Sequence, residues 1–171
     1  MRINNVDIEK AAAFVEEVKK DNSKAIKEKK VSGEWILESS KPQFRAVLQH
    51  GDNSTVVEAD GPPFLGGSAL RPDPVQYCLF GLAACFAQTF AGIAAEKGVN
   101  LRKLSVSAEN KVDLTTALGL GEKPIVERAL LTLKVESDSP DKIQEIAKLS
   151  EARCPGVYCL THAVPLEVKL E

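Results

Sequence analysis

The residues in this sequence best suited to chemistry are its four cysteines, Cys78, Cys85, Cys154 and Cys159. Cys85 lies among small and apolar residues in the stretch GLAACFAQTFAG. A thiol attacks as its thiolate, and at pH 7 an ordinary thiol is only roughly a few per cent ionised. Burial in an apolar helix would lower that fraction further, because it disfavours the charged form. Cys85 is therefore either a small packed hydrophobe or a nucleophile that requires a nearby cation.

Two arginines are candidates for that cation. Cys85 lies roughly three turns into its predicted helix, where the helix dipole, an effect of the first turn, gives little help. The charge must therefore come from another element. Arg45 lies on the strand-like segment FRAVLQ, and Arg71 lies in the loop that leads into the helix. The residues themselves leave the choice between the two open.

The first half of the chain predicts a helical extension followed by strands. Apolar residues recur at helical spacing over residues 7–30, which predicts an N-terminal helical extension over 1–30 and one further domain over 31–171. GEWILES, FRAVLQ and TVVEA have the character of short strands. The loop DGPPFLGGSALRPDP ends in Asp73, a predicted N-cap, and Pro74, a favoured first helical residue.

In the second half of the chain, apolar and polar residues alternate along two segments, and a helical pattern follows. LSVSAENKVDL and the segment around Ala129, Leu131 and Leu133 predict two long strands that form an antiparallel ribbon. SDSPDKIQEIAKLSEARC predicts a helix that ends at Cys154, because Pro155 disfavours helical geometry at the residue before it. VPLEVKL predicts a closing strand. The predicted order is a helix and then βββ-α-ββ-α-β, an α+β fold with an antiparallel sheet.

Composition and charge exclude several classes of protein. The net charge is −2, and no basic cluster is interleaved with aromatic residues, so we expect no nucleic-acid partner. MRINNVDIEK lacks the apolar run of a signal peptide, which favours a cytoplasmic protein with free cysteines. Val75 to Ala95 carries no charge and is long enough to span a bilayer. Its amides and small residues favour a buried central helix instead, so we expect no membrane partner.

A metal site is a weaker possibility. Cys154, Cys159 and His162 form a C-x4-C-x2-H pattern that could hold part of a zinc site in a small interaction domain. No fourth ligand is evident, and the spacing matches no strong zinc pattern. We therefore predict neither a metal nor another cofactor.

PDPVQYCLFGLAACF, followed about 70 residues later by ARCPGVYCL, resembles the OsmC/Ohr family of organic hydroperoxide reductases. The resemblance covers about residues 31–170, and the family order βββ-α-ββ-α-β matches the pattern above. It implies an intertwined homodimer with two thiol sites at the subunit interface. It also implies that Cys85 is the peroxidatic cysteine and Cys154 the resolving cysteine, with an organic hydroperoxide and a dithiol reductant as partners. The family has a glutamate that orients an activating arginine, and this chain has Val75 at that position, followed by Gln76.

Another departure from the family is Gly156, which looks like an insertion in the C-P-V motif. Together with Val75, it keeps a second hypothesis open beside the peroxidase. The rival is a non-catalytic OsmC-like protein that binds an apolar small molecule at the dimer interface.

Overall fold

The computed structural model describes residues 1–170, which divide into two compact units. One unit, called here the thiol unit, comprises Met1–Val15 and the chain from Leu79 onward. The other, called the strand unit, is Glu16–Cys78. The helices and strands, in chain order, are β1 Arg2–Ile3, β2 Val6–Asp7, α1 Ile8–Lys20, β3 Gly33–Trp35, β4 Phe44–His50, β5 Asn53–Ala59, α2 Pro74–Glu96, β6 Leu101–Val112, β7 Val126–Ser137, α3 Ile143–Arg153 and α4 Pro155–Thr161.

The strand unit contains the three strands that the sequence predicts. They form one antiparallel sheet in the order β3-β4-β5. The β4–β5 register runs from Phe44 opposite Ala59 to His50 opposite Asn53. Gly51 takes the left-handed conformation, with φ of 60°, in the turn between these strands. Alternation of apolar and polar residues is therefore a sound guide to this part of the fold.

The N-terminal helix is shorter than its periodicity predicts. It ends at Lys20 rather than near residue 30. The Asp21 side chain accepts a hydrogen bond from the Ser23 backbone N–H and caps a single 3-10 turn over Asn22–Ala25. Side chains of this kind bind nearby backbone groups and compete with helix continuation. The extension is consequently a short helix followed by irregular chain.

In the thiol unit, a small N-terminal hairpin is held against the start of β6. Asn4 lies in its turn with φ of 52°. Its amide group donates to the Val99 carbonyl at 2.9 Å and accepts from the Leu101 N–H at 2.8 Å. One asparagine side chain thus forms hydrogen bonds with both a backbone carbonyl and a backbone N–H at the start of β6.

Helix α2 begins as predicted but is buried on one side only. The Asp73 carboxylate accepts from the backbone N–H groups of Val75 and Gln76, which confirms the predicted N-cap. The expectation of a buried central helix holds for one face only, since Phe80 on the other side is 70% exposed. Its buried residues are Leu82, Phe86, Phe90, Ile93, Ala94 and Ala95.

Strands β6 and β7 pair antiparallel and support the core of the thiol unit, as predicted. Leu104, Val106 and Leu133 pack against a buried cluster that includes Phe90, Ile146 and Cys154. The apolar residues of the ribbon project from one face, and α2 and α3 pack on that face.

The predicted closing strand does not form. Residues 163–170 contain no secondary structure. Leu166 is 88% exposed and Leu170 99% exposed. Alternation predicts a strand correctly only where a partner strand supplies the hydrogen bonds, and within the described residues this segment pairs with none.

Shortening Phe90 tests this core. The side chain is fully buried, so Phe90→Ala should lower the free energy of unfolding by about 3–5 kcal/mol. Urea denaturation measures the loss. Phe64→Ala is the matched control: Phe64 is 75% exposed, and its loss should cost about 0.5 kcal/mol or less. Equal effects of the two substitutions would contradict the assignment of the core.

Candidate thiol site

The fold brings together two cysteines that lie far apart in the sequence. Cys85 is half-buried on α2, and Cys154 is buried between α3 and α4. Their Sγ atoms lie 3.5 Å apart, and both thiols are free. A disulfide bond is about 2.05 Å long, so the two sulfurs are not bonded but need only a small movement to become so.

Pro155 creates the position of Cys154. Helix α3 ends at Arg153, and Cys154 takes an extended conformation with φ of −81° and ψ of 118°. The sequence predicts this helix end correctly but misses α4, because we interpreted Pro155 only as a stop. Proline is also a favoured first residue of a helix, and here it starts the next one. Because Pro155 both ends α3 and starts α4, the chain changes direction at Cys154.

Gly156 allows α4 to approach Cys85 closely. Its backbone N–H donates to the Cys85 Sγ at 3.4 Å. A Cβ atom at position 156 would lie 3.2 Å from the Cys85 Cβ, a tight contact that a shift of a few tenths of an ångström would relieve, and 3.4 Å from its Sγ. The glycine that follows C-P in the sequence therefore lets α4 pack against Cys85 without displacing it.

The surroundings of Cys85 within the thiol unit hold its thiol in the neutral form. Burial is the largest influence and raises the pKa of Cys85. The Gly156 N–H lowers this pKa, while the hydrogen bond with Cys154 and the charges of Cys154 and Cys159 raise it. The net direction is upward. No cation among the described residues lowers the pKa of Cys85, so a reactive Cys85 needs a cation from elsewhere.

Both predicted arginines belong to the strand unit. The Arg71 Nε lies 2.9 Å from the Glu58 carboxylate, and its Nη1 donates to the Leu70 carbonyl at 2.7 Å. Arg45 lies on β4 opposite Glu34 on one side and Glu58 on the other. The structure thus gives Arg71 a carboxylate partner and shows no ion pair for Arg45 among the described residues. A role of either arginine at Cys85 stays a prediction.

The C-x4-C-x2-H pattern does not assemble into a metal site. His162 stacks on Tyr158, with ring centroids 4.0 Å apart. No group of three or more histidine, cysteine or acidic residues in the described part of the chain could hold a metal ion. Cys78 and Cys159 are both exposed.

Comparison with known proteins identifies the family. The family model for OsmC-like proteins matches residues 66–169, more than half of the chain. This chain belongs to the OsmC-like protein family. The matched region contains both members of the thiol pair, and a search of curated proteins gives no significant match.

Solved structures share the fold at low sequence identity. An OsmC-like protein from Mycoplasma pneumoniae is 20% identical, with a TM-score of 0.58 over 78% of this chain and 87% of its own. An organic hydroperoxide resistance protein OsmC from Legionella pneumophila, also described as a predicted redox protein, is 14% identical, with a TM-score of 0.58 over 80% and 92%. A protein from Vibrio cholerae assigned to organic hydroperoxide resistance, with captopril in one of its active sites, is 16% identical, with a TM-score of 0.52 over 80% and 87%. These likenesses confirm the α+β OsmC-like fold.

Helix α2 is long and apolar enough to cross a membrane, and no other helix among residues 1–170 is. The central helix of a soluble protein passes the same test of length and composition. In this family member α2 carries Cys85 and packs on the β6–β7 ribbon through its buried face.

Replacing Gly156 should disturb the thiol pair without removing a sulfur. In Gly156→Ala the added methyl group would push α4 away from Cys85, and disulfide formation driven by diamide should slow by roughly tenfold or more. Quenched samples analysed by mass spectrometry give the rate. Gly81→Ala is the control, because a Cβ atom there meets nothing within 4 Å. A wild-type rate in Gly156→Ala would show that this contact does not set the geometry.

Proposed function

We propose that this protein is a thiol peroxidase that reduces organic hydroperoxides to alcohols through Cys85 and Cys154. The observation that carries the proposal is the 3.5 Å separation of two free thiols that are 69 residues apart in the sequence. Family membership supports the proposal, as do the names of the Legionella and Vibrio structures, which refer to organic hydroperoxide resistance.

The chemistry runs in three balanced steps. The Cys85 thiolate attacks the terminal oxygen of the hydroperoxide, the O–O bond breaks, and the alkoxide leaves as the alcohol after taking a proton. Cys85 is then a sulfenic acid. The Cys154 thiol attacks the Cys85 sulfur, water leaves, and the Cys85–Cys154 disulfide forms. A dithiol reductant returns both cysteines to thiols by thiol–disulfide exchange and is itself oxidised to a disulfide.

The burial of Cys154 suits a resolving cysteine. It is only 2% exposed, so a bulky hydroperoxide has poor access to it, whereas Cys85 is half-buried. A sulfenic acid on Cys85 would meet the second sulfur at once, before another oxidant could carry it to the irreversible sulfinic acid. The more accessible Cys85 therefore suits the reaction with the hydroperoxide, and the buried Cys154 suits the reaction with the Cys85 sulfenic acid.

The first step needs a cation that offsets the raised pKa of Cys85. Arg45 and Arg71 are the candidates that the sequence provides. Val75 replaces the family glutamate, but Glu58 holds the Arg71 guanidinium through its Nε at 2.9 Å. A charge-assisted pair of this kind orients an arginine well. Arg45, without an ion pair in the described residues, has its guanidinium available for another anion.

We further propose the homodimer that the family resemblance implies. Phe80 on α2 is 70% exposed in one chain, and the apolar residues of the C-terminal segment are exposed on alternate positions. Large apolar surfaces of this kind mark sites of association. A second copy would cover α2 and give the C-terminal segment a strand to pair with.

Counting thiols tests the peroxidase reaction. One equivalent of cumene hydroperoxide should remove two thiols per chain from the wild type, none from Cys85→Ser and one from Cys154→Ser, where dimedone should trap the sulfenic acid. Cys78→Ser is the matched control: its sulfur lies on the same helix but is exposed, and this variant should still lose two. No loss within minutes from the wild type would reject the enzyme. The rival, a non-catalytic member that binds an apolar small molecule, would then stand.

The pH dependence of Cys85 alkylation tests the arginines. A guanidinium beside a thiol favours the thiolate and lowers the pKa, so removing it should move the midpoint of iodoacetamide reactivity to higher pH. If the midpoint rises by about one pH unit, the rate at pH 7 should fall by about tenfold. Arg45→Gln and Arg71→Gln are compared with Arg2→Gln, a control on the N-terminal hairpin. If neither substitution moves the midpoint, arginine activation is wrong.

A further inference from the structure

A third cysteine of the thiol unit has no role in the proposed reaction. Cys159 lies on α4, and its thiol is free and exposed. The two cysteines of the pair are less accessible, since Cys154 is 2% exposed and Cys85 is half-buried. A dithiol that reduces their disulfide has to reach one of these two sulfurs. Limited access therefore hinders the last step of the cycle, whereas Cys159 is a thiol that an external reductant can reach.

Cys159 lies on the same side of α4 as Gly156, the residue that contacts Cys85. It follows Gly156 by three residues, and residues three apart are neighbours on a helix, with Cβ atoms about 5–6 Å apart. Its Cα–Cβ bond tilts toward the start of the helix and so toward Gly156. The Cβ position at Gly156 is in turn 3.4 Å from the Cys85 Sγ. The Cys159 Cβ atom therefore lies within about 10 Å of that sulfur.

The electrostatics of Cys85 agree with this placement. Burial is the largest influence that raises the pKa of Cys85, and the charges of Cys154 and Cys159 raise it as well. The interaction between two charges weakens with distance, so a thiolate that acts on Cys85 lies near it. Cys159 therefore belongs to one cluster of thiols with the pair.

The spacing of the cysteines decides which bond Cys159 can form. Cys154 and Cys159 are five residues apart, which is about 7.5 Å along a helix axis. Two cysteines with Cα atoms more than about 7 Å apart cannot be bonded without backbone movement. These two therefore cannot bond to each other while α4 is helical. Cys85 lies on another helix, so it is the member of the pair that Cys159 can attack.

Helix α4 can supply the movement that brings Cys159 to Cys85. It has seven residues, and none of them is buried. Segments with few buried contacts move at a low cost in free energy, whereas core elements do not. A shift of α4 along α2 therefore leaves the buried cluster around Phe90 and Ile146 in place.

We propose that Cys159 is a relay thiol that carries the disulfide from the buried pair to the surface. The Cys159 thiolate attacks the Cys85 sulfur, the bond between Cys85 and Cys154 breaks, and Cys154 leaves as a thiolate and takes up the proton that Cys159 released. A dithiol reductant then attacks the exposed Cys159 sulfur, both cysteines return to thiols, and the reductant becomes a disulfide. The place of this relay in a catalytic cycle rests on the proposed peroxidase function, but the exchange itself needs only the oxidised pair.

Disulfide mapping tests the exchange. The full-length protein is oxidised with diamide, blocked with N-ethylmaleimide at timed intervals and cut with chymotrypsin, which cleaves after Tyr158 and so separates Cys154 from Cys159. Mass spectrometry of the wild type should show the Cys85–Cys154 bond first and the Cys85–Cys159 bond after it. Cys154→Ser, oxidised without dimedone, should form the Cys85–Cys159 bond directly but more slowly than the wild-type pair forms. If no peptide links Cys85 to Cys159 in either protein, the relay is wrong.

The rate of reduction tests what the exchange is for. Dithiothreitol should restore the thiols of the oxidised wild type roughly tenfold faster than those of oxidised Cys159→Ser, because the variant offers only the less accessible pair. Cys78→Ser is the matched control, an exposed cysteine whose loss should leave the rate unchanged. Equal rates in the wild type and Cys159→Ser would contradict the relay.

Oxidation by cumene hydroperoxide separates the relay from the peroxidase. Cys159→Ser should still lose two thiols at the wild-type rate, because the relay acts only after the disulfide has formed; this result also shows that the variant is folded. If the mapping shows the exchange but cumene hydroperoxide removes no thiols from the wild type, the peroxidase proposal fails and the relay holds. If the thiols are lost but dithiothreitol restores both proteins equally fast, the peroxidase proposal holds and the relay fails.

Discussion

The close approach of α4 to α2 is the contact on which the site depends. The absence of a side chain at residue 156 allows this approach without displacing Cys85, and the Gly156 N–H reaches the Cys85 Sγ at 3.4 Å. Pro155 ends one helix and starts the next, which sets Cys154 at the turn beside this contact. Three consecutive residues, Cys-Pro-Gly, therefore supply the second sulfur, the change of direction and the space that the first sulfur occupies.

The same packing that pairs the sulfurs opposes the ionisation of Cys85. Burial favours the neutral thiol, and a neighbouring thiol adds no compensating positive charge. The Gly156 N–H offsets part of this effect by donating to the sulfur. A reactive Cys85 in this apolar core would therefore need charge from a separate element, and Arg45 and Arg71, which precede α2 in sequence, are the residues that we propose for that role.

Much of the fold could be predicted because its determinants are local. Alternation identified the strands, Asp73 and Pro74 located the start of α2, and Pro155 located the end of α3. The errors arose where the outcome depends on competition or on distant partners. Asp21 ended α1 through a side-chain bond that periodicity does not reveal, and the closing strand needs a partner that alternation cannot supply. At the site, the sequence named both cysteines of the pair, but the reason for Gly156 is visible only in three dimensions.

Cys154 shares its peptide bond with the first residue of α4, and through Val157 and Leu160 α4 also forms one wall of a groove between α2, β7 and α3. Bonding the two sulfurs requires them to move from 3.5 Å to about 2.05 Å. Any part of that approach taken up by the backbone moves the wall as well. The shape of this wall would then differ between the reduced and the oxidised protein, so the redox state of the two sulfurs would be expressed at a surface that neither sulfur occupies.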